Sequence, residues 1–140
     1  MLPLRLVLDT NVVVPALLKP GGLERTSLIF ALTPPARWYL SPDILAEYQN
    51  VLLRPRLRLA PSRIDEFIEL AQSRALLVNP SVRIEMTPDP DDNIFLECAD
   101  DARADYLVTG NKRHFPRFWK ATKIINVREF IEVIAPHLPL

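Results

Sequence analysis

Leu4-Arg5-Leu6-Val7-Leu8-Asp9-Thr10-Asn11-Val12-Val13-Val14 is the stretch that decides the fold. Its first half is a near-continuous apolar run stopped by Asp9. Such a run reads as a strand buried on both faces, the habit of parallel sheets. Residues 11–18 then read as a helix. Parallel strands need crossovers, usually helical, so a strand followed at once by a helix points to α/β architecture.

Working outward, the breaker Pro20-Gly21-Gly22 separates that helix from a second over 23–32, which Pro34-Pro35 ends. Arg37 to Leu40 is a short strand. Ser41-Pro42 opens a helix, with Ser as N-cap and Pro at the first position. It runs to about Leu53. Pro61-Ser62 starts another, reaching about Ser73, and Ala75 to Val78 is a third strand. Thr87-Pro88-Asp89-Pro90 is a loop, after which Asp91 or Asp92 starts a helix reaching Ala104. Tyr106 to Thr109 and Ile124-Ile125 complete the strands, and Asn126 caps a last helix, Val127 to Ile134. The expectation is one domain over residues 1–140. Its fold would be three-layer α/β/α, around a central parallel sheet of about five strands.

The bulk numbers agree with a compact domain. Of 140 residues, 49% are hydrophobic, and a chain of this size buries roughly 68% of its unfolded surface without staples. The single cysteine, Cys98, leaves no internal disulfide and fits a reducing compartment. The first residues carry no secretory signal, and no apolar run approaches the roughly 18 residues of a membrane helix. A cytoplasmic, membrane-free protein is expected. The net charge is zero, but its distribution is uneven. Lys112, Arg113, Arg117, Lys120 and Lys123 form one basic stretch, and Arg54, Arg56, Arg58 and Arg63 a second. Residues 85–105 are acid-rich. Separated zones of this kind suit cations in one place and phosphates in another; solvated surface faces would give the same pattern.

Three acids carry the chemistry. Asp9 follows the first strand directly, and in open parallel sheets ligands sit beyond the carboxyl ends of the strands. The same position would suit an N-cap. Asp92 heads the stripe Asp92, Phe95, Leu96, Ala99, Arg103, so it points toward the core, with Ile94 and Cys98 off that stripe. An inward carboxylate is costly unless paired or metal-bound. Helix capping is the other use for it, although Asp89 and Asp91 are nearby to cap instead. Glu47 borders the buried stripe Ile44, Leu45, Tyr48, Val51, Leu52, a placement equally suited to a surface residue, and Asp43 reads as a first-turn helix acid. Three carboxylates at the tops of separate elements would make an oxygen-rich pocket for Mg²⁺ or another hard divalent cation. Zinc is disfavoured, because only His114 and His137 exist and no ligand spacing fits. A Walker loop, a dinucleotide fingerprint and a serine nucleophile elbow are all missing. The aspartyl-phosphate phosphatases need a second acid where Asn11 stands.

Four stretches then coincide with one family. LRLVLDTNVVV, LSPDILAEYQNVLLRPRLR, DPDDNIFLECADDARADYLVTGNKRHF and IINVREFIEVI together resemble PIN-domain proteins, in particular the VapC toxins of bacterial toxin–antitoxin pairs. The resemblance spans nearly the whole chain. It implies that Asp9, Glu47 and Asp92 are catalytic metal ligands. Thr10, Asn11 and Thr109 would be supporting groups around them. Asn111 would stand where a fourth acid is common, which favours one cation over two. It further implies Mg²⁺- or Mn²⁺-dependent hydrolysis of RNA, a homodimer and a small antitoxin partner. The basic residues Lys112, Arg113, Arg117 and Lys120 would hold the RNA backbone. Phe115, Phe118 and Trp119 would either stack on bases or pack in the core, with core packing favoured for Phe115 and Phe118, and His114 would lie at the surface or on a phosphate. A catalytically weak PIN-fold binding module, a phosphatase and a DNA nuclease are the alternatives.

Overall fold

The computed structural model describes residues 3–138. Strand β1 (Arg5–Leu8) leads into helix α1 (Thr10–Leu18) and then α2 (Leu23–Leu32). Next come β2 (Arg37–Leu40), α3 (Pro42–Leu52), α4 (Pro61–Arg74) and β3 (Leu76–Leu77). The second half holds α5 (Pro90–Ala102), β4 (Tyr106–Val108), β5 (Phe118–Trp119), β6 (Thr122–Ile125) and α6 (Val127–Ile134). The strands form one sheet in the order β3-β2-β1-β4-β6-β5, parallel except for β5. This is the mixed α/β architecture expected, with six strands where about five were expected.

The local reasons are plain. Leu6, Val7 and Leu8 are fully buried, so β1 is covered on both faces by helices. Ser41 caps α3 by accepting the Ile44 N–H at 3.2 Å, with Pro42 in the first turn. Asn126 and Glu129 form a reciprocal capping box on α6. Helix α4 departs from expectation: Ala60 precedes it without a side-chain cap, and Pro61 alone sets its start. Strand β3 is shorter than expected because only Leu76 and Leu77 pair with β2.

Two further corrections concern the second half. Helix α5 is buried nearly all round, Cys98 and Glu97 included, because it lies across β1, β2 and β4 and touches α3. A single core-facing stripe therefore underestimates it. Arg103 is not part of any stripe: it is exposed and sits past the helix end at φ 51°, in the left-handed region. Strand β5 lies within the basic stretch, where no strand was expected. It hairpins onto β6 through Lys120 and Ala121, with Lys120 at φ 52° supplying the turn that no glycine marks. Phe115 is buried as expected, but Phe118 on β5 is 65% exposed. Among the described residues, no helix is long and apolar enough to cross a membrane.

An aromatic cluster of Trp38, Tyr48, Phe67 and Phe95 fills the space between β2 and helices α3, α4 and α5, with ring centroids 6.3–6.4 Å apart. Its polar member is used. The Tyr48 hydroxyl donates to the Leu8 carbonyl, pinning α3 to the end of β1. A Tyr48→Phe variant is therefore expected to lose about 1–2 kcal/mol of stability, seen as a lower urea midpoint at unchanged slope. An unchanged midpoint would show that this bond contributes nothing.

Candidate active site

The sheet order reverses at β1: β2 lies on one side of it and β4 on the other. Ligand crevices in open α/β sheets form at such a switch, beyond the carboxyl ends of the strands. The register pairs Leu8 with Val108, so the next residues, Asp9 and Thr109, emerge side by side. The Thr109 hydroxyl donates to Asp9 Oδ2 at 2.7 Å and accepts the Asn111 N–H at 3.0 Å. Asp9 occupies the N-cap position of α1 yet makes no side-chain cap bond. Capping is thus not its use.

Asp9 is only 5% exposed. Burial pushes its carboxyl up from 3.8 to about 6. The hydrogen bonds from Thr109 and from the Thr10 backbone oppose that rise, nearby Asp92 adds to it, and His114 opposes it. Asp92 lies in the first turn of α5, half-buried. Asp89 caps that helix by accepting the Asp91 N–H at 2.9 Å, which frees Asp92 from capping. The His114 Nδ1 lies 3.3 Å from Asp92 Oδ2. Burial raises the Asp92 carboxyl, Asp89 adds to that, and His114 opposes it. Glu47, half-buried on α3, is also raised, first by burial and then by Asp91, with Arg54 opposing.

These groups line one cleft of about 510 Å³ between the strand ends and α3 and α5. Asp9, Thr10, Asn11, Glu47, Asp92 and Asn111 all reach it, and Thr109 stands behind Asp9. Asn11 faces Gly110: its side-chain oxygen accepts the Gly110 N–H at 2.8 Å. A Cβ at Gly110 would lie 3.3 Å from Asn11 Cγ, so glycine permits this close approach. The Thr10 hydroxyl is buried and has no hydrogen-bond partner.

Sequence reasoning missed four contributors. Asp89 and Asp91 join the wall as fourth and fifth acids, and Arg54 and Arg56 are the cations on it. The Asp92–His114 contact was equally invisible, because 22 positions separate the two residues. By contrast, Lys112, Arg113, Arg117 and Lys120 do not line the cleft. Lys112 is held by Glu129 at 2.7 Å and Lys120 by Asp100 at 2.6 Å. The acids also fall into two sets. Asp92 raises Asp9 beside His114, while Glu47 feels Asp91 and Arg54 first and Asp9 after them. Among the described residues, no three acidic, histidine or cysteine side chains converge tightly enough to form a ready coordination shell. Glu47 projects from α3 and Asp92 from α5, so the cleft acids come from different helices.

Residues 5–113 match the PIN domain family. A curated relative, the uncharacterised protein MJ1680 of Methanocaldococcus jannaschii, is 31% identical over 112 residues, which cover 78% of this chain and 72% of that protein. Two solved structures share the fold. VapBC-1 from nontypeable Haemophilus influenzae superposes with a TM-score of 0.63 at 17% identity, covering 89% of this chain and 99% of that one. VapBC2 from Rickettsia felis, bound to a DNA fragment from its promoter, gives 0.60 at 20% identity, covering 88% and 98%.

The buried charge has a thermodynamic signature. The folded protein holds the Asp9 proton more tightly than the unfolded chain does. Stability from this group is therefore full below about pH 4 and is lost as pH rises to about 6. The rise to about 6 corresponds to about 3 kcal/mol against the charged form. Asp9→Asn keeps an acceptor for Thr109 and removes the charge. In chelator-treated buffer at pH 7 this variant is expected to be more stable by about 2–3 kcal/mol, with the gain vanishing near pH 4. Destabilisation at pH 7 would refute the burial argument.

Proposed function

We propose, because the chain belongs to the PIN domain family, that it is a metal-dependent ribonuclease hydrolysing RNA phosphodiesters in the acid-lined cleft. The observation that carries this reading is the buried Asp9 carboxylate. It sits at the switch point of the sheet with its pKa raised to about 6, facing more acids, and among the described residues no cation pairs with it. Strongly shifted carboxyls in clefts cluster at functional sites.

The donor chemistry fits a hard divalent cation. All five acids offer oxygen, their carboxyls at Asp9, Glu47 and Asp92 are poorly neutralised, and the Thr10 hydroxyl beside them lacks a partner. Asp9, Asp92 and Glu47 would hold Mg²⁺ or Mn²⁺. Mg²⁺ usually keeps several waters and binds through one or two carboxylates directly, so the acids need not meet at one point. When bound, the cation supplies an acidified water and stabilises charge on the attacked phosphate. The chain's own residues prepare the site. Thr109 fixes Asp9 Oδ2 where Asp9 lines the cleft. His114 restrains Asp92. Arg54 and Arg56 attract the phosphate backbone, a sequence-independent contact. Asn111 adds no charge at the fourth corner, which supports one cation rather than two.

The likeness to VapC toxins, with the fold shared with two VapBC structures, supports a further reading. The chain would be the toxin of such a pair, working as a homodimer in the cytoplasm and restrained by a small antitoxin. The lack of a preformed three-acid shell favours one competing reading, a catalytically weak binding module.

Cleavage of RNA, DNA and a phosphate monoester, compared with and without Mg²⁺ or Mn²⁺, separates these readings. RNA cleavage that needs the cation is expected. Asp9→Asn and Asp92→Asn are each expected to lose at least about 100-fold, since the cation's effect is worth several kcal/mol. Calorimetry should detect metal binding in the wild type and lose it in the variants. No binding at millimolar Mg²⁺ or Mn²⁺ would favour the binding module, and wild-type cleavage by Asp9→Asn would sink the site.

A further inference from the structure

The β5–β6 hairpin presents a feature that the acid cleft does not use. Phe118 lies directly opposite Lys123 in the antiparallel pair, so both side chains stand on the same face. The other face is anchored. Trp119 Nε1 donates to Asp100 at 3.0 Å, and the buried Thr122 hydroxyl donates to the Ala104 carbonyl at 2.6 Å. Phe118 is therefore held outward by a fixed platform, 65% exposed. Around it runs a groove of about 680 Å³ lined by Arg117, Lys120, Lys123 and Lys112. Among the described residues, no acid pairs with Arg117 or Lys123, whereas Lys112 and Lys120 are engaged.

Shared lining residues link this groove to the cleft. Asn111 lines the cleft and also a shallow depression of about 360 Å³ with Gly110, Lys112, Arg113 and Asn126. Lys112 in turn lines both that depression and the groove. The three surfaces form a track that changes from acidic to basic and ends on an exposed aromatic ring.

We infer that this track holds the single-stranded flank of an RNA substrate whose scissile phosphate lies in the cleft. Arg113, Arg117 and Lys123 take successive phosphates, and Phe118 stacks on an unpaired base. The inference rests on the ribonuclease reading and deepens it, since a base can reach Phe118 only where it is not paired. A basic groove with one aromatic platform is the general pattern of single-strand binding.

The test is binding without cleavage. Fluorescein-labelled oligouridylates of increasing length are titrated with the protein in chelator-containing buffer, and anisotropy is followed. Affinity is expected to rise with length and then level off, and to exceed that for duplex RNA. Phe118→Ala is expected to weaken binding about tenfold, and Phe118→Trp to restore it. Both should fold normally, because the ring is exposed. Replacing Arg117 and Lys123 together with Ala should lower the salt slope by about 1.4. Equal affinity for duplex, or no effect of Phe118→Ala, overturns the inference. Binding as tight to poly-glutamate also overturns it, since that would mark a site for an acidic protein. Cleavage is scored separately. Phe118-dependent binding without metal-dependent cleavage would sink the nuclease and leave the track. Cleavage with Phe118-independent binding would do the reverse.

Discussion

The hydrogen bond from Thr109 to Asp9 sits where the sheet changes direction, and the rest of the site is arranged around it. Two parallel strands end in register, and the next residue of each turns toward the same crevice. One contributes a carboxylate and the other the hydroxyl that holds it. The hydroxyl also receives the Asn111 N–H, so the same contact sets the path of the chain after β4. The Gly110 N–H, donating to Asn11, ties the same two chain segments together again just beyond it. On the opposite side, Tyr48 reaches the carbonyl of Leu8, one residue before Asp9, and Glu47 precedes Tyr48. Three elements are thus fastened within one residue of a single carboxylate.

Such fastening is what a buried charge demands. A carboxylate removed from water destabilises the fold unless its surroundings are fixed to stabilise it. Here they do so incompletely: hydrogen bonds oppose the rise in pKa without cancelling it. The neighbours that would complete the compensation in an ordinary core are instead further acids. The aromatic cluster behind Tyr48 and the extensive burial of α5 supply apolar stability that offsets the electrostatic cost.

Much of this was legible in the sequence because it follows from local rules. The apolar run before Asp9, the Ser-Pro start of α3 and the Asn126 cap each use chemistry confined to a few neighbouring residues. Asp92 was legible for the same reason, since Asp89 and Asp91 lay at hand to cap its helix. What stayed hidden depends on distance or on a broken rule. The hairpin turn uses Lys120 at positive φ where glycine would announce it. Phe118 and Phe115 look alike in sequence, but only the pairing with β6 decides which one faces outward. His114 meets Asp92, and Arg54 and Arg56 join the cleft, only because the fold brings distant elements together. Glu47 was the weakest of the three acids by position, and only the fold brings it into the same cleft as Asp9 and Asp92.

The zero net charge acquires a meaning from this layout. Five acids concentrated in one cleft repel a polyanion, so RNA cannot be drawn there by the site itself. A divalent cation in the cleft would reverse the local sign, yet the chain leading to the scissile phosphate would still need contacts of its own. Cations along the hairpin would meet that need from outside the acid pocket, while Arg54 and Arg56 on its wall leave Asp9 unpaired. The separation matters physically: an arginine close enough to pair with Asp9 would hold its carboxyl ionised and satisfied, and would compete with the metal for it. Keeping most bases on surfaces adjoining the acids, with the uncharged Asn111 between them, would let one site take a cation and its neighbour phosphates. The balance of charge in the sequence therefore records two opposite surfaces rather than the absence of either.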